Sequence, residues 1–458
     1  MRSNRLDPGD AEREENRHIL TAGFFRYTTR ILMTEIPGDL AGWLDFISAQ
    51  HSHEIELGLV RLRQVANQLG LRPFNCPLIT VAGTNGKGSS ITALESFYTR
   101  AGYHTACYTS PHLTVFNERI RIDGLFVADD ELCAAFAEIN SARASIPLTY
   151  FEFATLAAYV IFLQHERDII LLEVGLGGRL DATNLFPADL ALITSIGIDH
   201  TAWLGNDREA IGVEKAGIIH EGKIVIISDP EPPQSLLNIA HAKAAKIFSL
   251  NQDYRYEIRA ADWCWQQEER NALSALPLPG LYGIPQFNNL AGVLMCLAAL
   301  QKQLPVSDET IRSALPGIKV NGRFQVVATK PQLILDVAHN PDSMELLTEN
   351  LKALPVSGNT HAVVAMLKDK DIYESLYKIY PSIDFWYVGG LTIARGEATE
   401  YLKAVLEKLG PNTHISLFET VEQAWEQASW LAEEKDRVVV FGSFHTVGGI
   451  IHALSSSS

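Results

Sequence analysis

Residues 77–90 read PLITVAGTNGKGSS: an apolar run of strand length, a glycine-rich turn with one lysine, and then the helical pattern Ile91–Arg100. A strand that feeds a glycine-rich loop and a helix commits this region to α/β architecture. It also presents backbone N–H groups and a helix N-terminus to an anion. Lys87 adds a point charge suited to the β and γ phosphates of a nucleotide. The string departs from the P-loop pattern GxxxxGK[ST] at two places. Val81 stands at the first glycine, and Gly88 separates Lys87 from the hydroxyl of Ser89. Alone, the motif reads either as a phosphate cradle or as an ordinary glycine-rich βα turn.

A chain of 458 residues suggests two or three domains with sizeable cores. Its formal charge of −16 argues against nucleic acid as the main partner, because phosphate neutralisation needs a basic face. An anionic substrate must then be held by a few local cations and N–H groups. The five cysteines (Cys76, Cys107, Cys133, Cys264, Cys296) show no CxxC spacing, which fits reduced thiols in a cytoplasmic protein. No uninterrupted apolar stretch is long enough to span a bilayer. Residues 1–32 are polar and of mixed charge, without the apolar core of a signal peptide, and read as an extension that is disordered or not translated. Met33 is the alternative start.

Several apolar runs finish in polar residues. His104–Thr109 ends at Ser110-Pro111-His112, Asp168–Leu172 ends at Glu173, and Ala188–Ile196 ends at Gly197-Ile198-Asp199-His200. Helical patterns separate them, such as Phe151–His165. The alternation predicts βαβ units, a mostly parallel sheet, and ligands at the carboxyl ends of its strands. The loop at Lys87 should thus converge with Ser110, Glu173 and His200. Glu173 and Ser89 suit Mg²⁺, which takes few oxygen ligands from a protein and the rest from phosphates and water. The bland readings are a salt-bridged strand end for Glu173 and a loop histidine for His200. Gly175–Gly178 (GLGG) does not fit the dinucleotide pattern GxGxxG. Lys215 falls in a helical stretch starting near Asp207, where a solvated lysine is the default.

Residues 286–302 form a strongly apolar helix in which Asn289 is a plausible polar contact. Composition changes at Asn321-Gly322-Arg323, and the domain boundary is placed there: 33–320 and 321–458. From Arg323 the βα alternation restarts, with strands predicted at Gln332–Val337, His361–Leu367, Phe385–Gly389, His414–Phe418 and Arg437–Phe441. Asp336, His339 and Ser443 would again lie at strand ends. Two such domains facing each other suit a reaction that joins two substrates and excludes water by closure.

Taken together, GTNGKGS (83–89), TSPHL (109–113), NERIRI (117–122), LEVGLGGRLDATN (172–184), SIGIDHTAWLG (195–205), EKAGI (214–218), GRFQ (322–325), DVAHNP (336–341) and GSFHTVGG (442–449) resemble the Mur ligase superfamily. Within it they are most similar to the dihydrofolate synthase/folylpolyglutamate synthase family, from about Leu40 to the C-terminus. YFEFATLAAYVIF (150–162) and MLKDKDI (366–372) extend the likeness toward bifunctional bacterial members. The resemblance implies a P-loop-type ATPase domain with a mostly parallel sheet and a smaller C-terminal Rossmann-like α/β domain. It implies an ATP-dependent ligase that adds L-glutamate to 7,8-dihydropteroate and to reduced folates through an acyl phosphate.

Residue by residue, the resemblance puts Gly83, Thr84, Asn85, Gly86, Lys87, Gly88 and Ser89 on the phosphates and Ser89, Glu173 and His200 around Mg²⁺. Lys215 matches a lysine carbamylated to hold a second Mg²⁺. Asn289 and Arg323 match ATP contacts. Asp336 and His339 belong to an interdomain catalytic face, with Asp336 also on the adenosine side. Arg119 and Ser443 match positions that hold glutamate, with Ser110 also on the substrate side. A monomer is implied. Two positions depart from the family pattern: Pro285 precedes Gln286 where a histidine is common, and Asn321 stands where a proline often precedes GRF. Folylpolyglutamate synthase activity alone, a nucleotide-hydrolysing switch and a peptidoglycan-precursor ligase are the competing readings. DVAHNP, GSFHTV and Lys215 count against the switch.

Overall fold

The computed structural model describes residues 37–51, 55–267, 270–411 and 414–456, so the extension read at 1–32 lies outside the described residues. Strands Leu78–Ala82 (β1), Thr105–Tyr108 (β2), Ile120–Ile122 (β3), Leu125–Phe126 (β4), Ile169–Glu173 (β5), Leu190–Ile193 (β6), Ile224–Ile227 (β7) and Lys246–Ser249 (β8) make one sheet. Its order is β4-β3-β2-β5-β1-β6-β7-β8, parallel from β2 to β8, with β3 and β4 antiparallel at one edge. The apolar runs read as buried strands are buried because helices cover both faces. In β5, Ile169 and Leu171 join the core around helices Lys87–Arg100 and Ile284–Leu300, while Ile170 and Leu172 face helices Asp129–Arg143 and Tyr150–Gln164. The last of these helices starts at a capping box. Glu152 N donates to Thr149 Oγ1, and Thr149 N donates to Glu152 Oε2.

The segment after β8 forms a three-stranded antiparallel sheet of Tyr254–Ile258 (β9), Asp262–Gln267 (β10) and Arg270–Pro277 (β11). Trp265 Nε1 donates to Ala291 O at 3.1 Å, fastening this small sheet to the apolar helix. The second large sheet comprises Gln325–Thr329 (β12), Gln332–Leu335 (β13), Thr360–Val364 (β14), Phe385–Gly389 (β15), His414–Phe418 (β16) and Arg437–Phe441 (β17). Its order is β12-β13-β17-β14-β15-β16, and all but β12 are parallel. The molecule is thus the expected α/β pair, a large sheet followed by a smaller Rossmann-like one. The hairpin β3–β4 was not expected, because strands of two and three residues carry too little periodicity to be seen.

The loop after β2 joins the halves. Leu113 packs into the second domain's core beside Val447, and Gly448 lies so close that a Cβ there would sit 2.1 Å from Leu113 O. All five cysteines are free. Among the described residues no helix is long and apolar enough to cross a membrane.

Candidate active site

The carboxyl ends of β1, β2, β5 and β6 face those of β13, β14 and β17 across a cleft of about 790 Å³. Gly83, Thr84, Asn85, Lys87, Ser110, Arg119, Glu173, His200, Lys215, Arg323, His339 and Ser443 all line it, so most of the residues singled out in the sequence share one cavity.

The turn after β1 is built around two glycines. At Gly83 a Cβ would fall 1.7 Å from Thr194 Oγ1, just past the end of β6. Gly86 has φ +91° and precedes helix Lys87–Arg100, and a Cβ there would meet Asn289 Oδ1 at 2.4 Å. Asn289 is buried and lies under the loop, its Nδ2 donating to Gln286 Oε1. Lys87 Nζ donates to Gly83 O at 2.9 Å and to Thr84 O at 3.2 Å, folding back over the turn. Burial lowers its pKa while Glu173 opposes that shift. Lys215 Nζ also donates to Gly83 O, at 2.9 Å. Two lysines therefore converge on one carbonyl. Lys215 is not solvated; it is 4% exposed, and burial followed by the Lys87 charge pushes its pKa down to about 7.

Glu173 is buried at the end of β5 and accepts from Ser110 N at 3.2 Å. Burial raises its pKa, with Lys87 as the main opposing charge. Its carboxylate lies against the helix start: a Cβ at Gly88 would be in ordinary contact with it, 3.6 Å from Glu173 Oε2. Ser89 is buried in the first turn of the same helix. His200 adopts φ +53°, and burial holds its imidazole down at about 4 against the pull of Asp199. It is therefore neutral near pH 7 and has a lone pair to offer. Among the described residues no three His, Cys, Asp or Glu side chains converge tightly enough to bind a metal by themselves. A carboxylate, a hydroxyl and a neutral imidazole beside a phosphate loop fit a hard cation completed by phosphate and water.

The second domain supplies cations and a histidine. Arg323 lies over the Phe444 ring at 5.5 Å. Asp336 is committed to backbone: Oδ2 accepts from Phe324 N and Oδ1 from Ala338 N, each at 2.8 Å. It buckles the Arg323 turn to the loop after β13. His339 Nδ1 pairs with Val337 O at 2.7 Å, which turns Nε2 toward Asp199. Ser443 Oγ accepts from Thr446 N at 3.0 Å and so caps the last helix. On the opposite side, Arg119 is buried between the Phe116 and Tyr150 rings, and its Nε donates to His112 Nδ1 at 2.8 Å. Burial and the Arg119 charge push His112 down to about 4, so it accepts this bond as a neutral ring.

A profile of the Mur ligase glutamate ligase domain matches residues 322–444. The dihydrofolate synthase/folylpolyglutamate synthase of Escherichia coli K12 is 44% identical over 421 residues, covering 91% of this chain and 96% of its own length. This chain belongs to the dihydrofolate synthase/folylpolyglutamate synthase family. Escherichia coli FolC in complex with DHPP and ADP superposes with TM-score 0.86 at 42% identity, over 93% of this chain and all of that one. A bifunctional folylpolyglutamate synthase/dihydrofolate synthase with Mn, AMPPNP and L-glutamate bound gives TM-score 0.83 at 42% identity, over 92% and 100% of the two chains.

Within this family member, three residues that meet between the two domains escaped the sequence reading: Asp199 and Lys370, which line the cleft, and buried Asn340. Asp199 accepts from Lys370 Nζ at 2.9 Å and from Asn340 Nδ2 at 3.1 Å. Burial opposes its ionisation, but the His339 imidazole and the Lys370 charge outweigh that and hold the carboxyl far below the usual range. The available signals were the acid immediately before His200 and the lysine between two aspartates in KDKD, both of which read in one dimension as solvated charge.

Proposed function

We propose that this protein is an ATP-dependent ligase that joins L-glutamate to 7,8-dihydropteroate and to reduced folates. The observation that carries it is the convergence of Lys87, Lys215, Glu173 and His200 from one sheet with Arg323 and His339 from the other on a single cleft. The reaction phosphorylates a substrate carboxylate from ATP, releasing ADP; the glutamate amine then attacks the acyl carbon and phosphate leaves. A carboxylate needs this activation because its own leaving group is oxide.

In this reading Lys87 and the N–H groups of the 83–89 turn hold the phosphates, Asn289 lies under the nucleotide, and Arg323 meets the terminal phosphate from the second domain. Ser89, Glu173 and His200 would hold Mg²⁺, and Lys215, as a carbamate, would hold a second ion; bound there, the metal would supply neutralisation of charge on the transferred phosphoryl group. His339 faces the interdomain reaction centre. Asp336, on the interdomain catalytic face and adenosine side, also positions Arg323 through its two backbone bonds. Arg119, with Ser110 and Ser443 along the same cleft, receives glutamate. The negative net charge argues against a nucleic-acid partner, the family likeness favours a monomer acting on small molecules, and the free cysteines fit the cytoplasm.

The test uses purified protein, Mg-ATP, L-glutamate and either dihydropteroate or tetrahydrofolate. ADP release with each acceptor, and products heavier by one glutamyl unit, are expected. Product with tetrahydrofolate alone would reduce the activity to polyglutamylation, and none with either would reject the reading. Gly86→Ala checks the turn separately. It combines a left-handed backbone with a clash against Asn289, and nucleotide affinity is expected to fall about tenfold or more by calorimetric titration with Mg-AMPPNP.

A further inference from the structure

No step above uses Asp199, although it is the carboxylate at which the two domains meet. Its Oδ1 accepts from Lys370 Nζ at 2.9 Å and from His200 N at 2.7 Å. One oxygen thus receives both the other domain's cation and the backbone of its own neighbour, a histidine held at φ +53°. Its Oδ2 accepts from Asn340 Nδ2 at 3.1 Å. The orientation of that amide is set independently: Asn340 Oδ1 caps helix Pro341–Ala353 by accepting from Ser343 N, which leaves Nδ2 to face Asp199. Lys370 and Asp199 are nearly out of solvent, with side chains 5% and 10% exposed. The same loop touches the second domain once more: a Cβ at Gly197 would lie 1.9 Å from Asp342 Oδ2.

We propose that Asp199 is a positioning residue: docking of the second domain, through Lys370 and Asn340, locks its carboxylate and so fixes the backbone of His200 at the phosphate end of the cleft. Every strong side-chain partner of Asp199 arrives from the loops after β13 and β14. An open molecule therefore leaves both Asp199 and the His200 turn unfastened. A desolvated pair of this kind is weak glue, since the same charges are well solvated apart; its use is to make one arrangement specific. Because His200 matters through the ligase reading, this inference rests on that reading for its catalytic consequence, but the latch itself does not.

The experiment compares the full-length protein with Asp199→Asn, Lys370→Gln and the double variant, after thermal melting shows that each is folded. Small-angle X-ray scattering of the nucleotide-free proteins reads the latch alone. Each single variant is expected to have a larger radius of gyration than the unsubstituted protein, and the double variant no larger again. Calorimetric titration with Mg-AMPPNP then reads the coupling to the site. Each single variant is expected to bind at least about tenfold more weakly, and the double variant within about threefold of the weaker single. Unchanged scattering, or losses that multiply in the double variant, would overturn the proposal. Failure of the unsubstituted protein to bind Mg-AMPPNP would count against the ligase reading instead, leaving the scattering result to decide the latch.

Discussion

Lys87→Ala is expected to lower kcat/KM for ATP by about a thousandfold or more, a loss of about 4 kcal/mol in transition-state stabilisation. The side chain stands at the first position of a helix that begins at a left-handed glycine, beside the acidic end of β5. Its ammonium holds two carbonyls of its own turn, Gly83 O and Thr84 O, and can turn from them to phosphate oxygens without leaving the loop. Alanine removes the charge and both bonds. Gly83 O keeps Lys215 as a donor, so the turn is expected to persist and the variant to melt within a few degrees of the original. Lys87→Arg is a sharper companion, because a planar fork does not fit where a compact ammonium folds back over three residues. Coupled ADP-release assays, with melting as the control, give the result. Retention of turnover within tenfold in Lys87→Ala would falsify the phosphate cradle.

Removal of dissolved CO₂ is expected to lower the rate at least tenfold, with recovery on adding bicarbonate. Lys215 has the chemistry for this. It is buried, its pKa is brought to about 7, and the charge that acts on it most is another cation, Lys87. A carbamate would form by attack of the neutral amine on CO₂ with release of a proton, which would place an anion beside Lys87. That change relieves repulsion with Lys87 and makes the site fit for a divalent ion. The sign follows from the amine. Below pH 7 it is increasingly ammonium and cannot attack, and carbamate formation itself releases a proton, so at fixed dissolved CO₂ the recovered rate should rise with pH through 7 until the lysine is fully carbamylated. Lys215→Ala should lose about a hundredfold in rate and all response to bicarbonate. A protein whose rate is indifferent to CO₂ across this range would leave Lys215 as an uncarbamylated lysine.

Much of the machinery is visible along the chain because strand ends and turns are local. The run 77–82 followed by Gly83, Gly86 and Lys87 has a loop-and-helix meaning that requires no distant partner. Glu173 and His200 are readable for the same reason, each closing an apolar run. Asp336 was legible as a strand-end acid, but what its oxygens touch was not. Both of its oxygens are taken by N–H groups of Phe324 and Ala338, and that pairing depends on how the turn at 322–324 folds back. Lys215 changed more, from a presumed solvated face to a buried amine on Gly83 O. Its helix is short and half of it is charged, so only the neighbouring loop reveals which side is covered.

What the sequence determined was the set of parts: an α/β chain in two halves, a phosphate loop, and acids and histidines at the ends of strands. Those follow from periodicity and turn chemistry, which act over a few residues. What the tertiary structure decided was which charges meet. Asp199 and Lys370 are 171 positions apart, and the burial that makes their pairing specific exists only when the carboxyl ends of the two sheets face each other. Electrostatics between such groups depends on distance and desolvation, and neither is written in the order of residues.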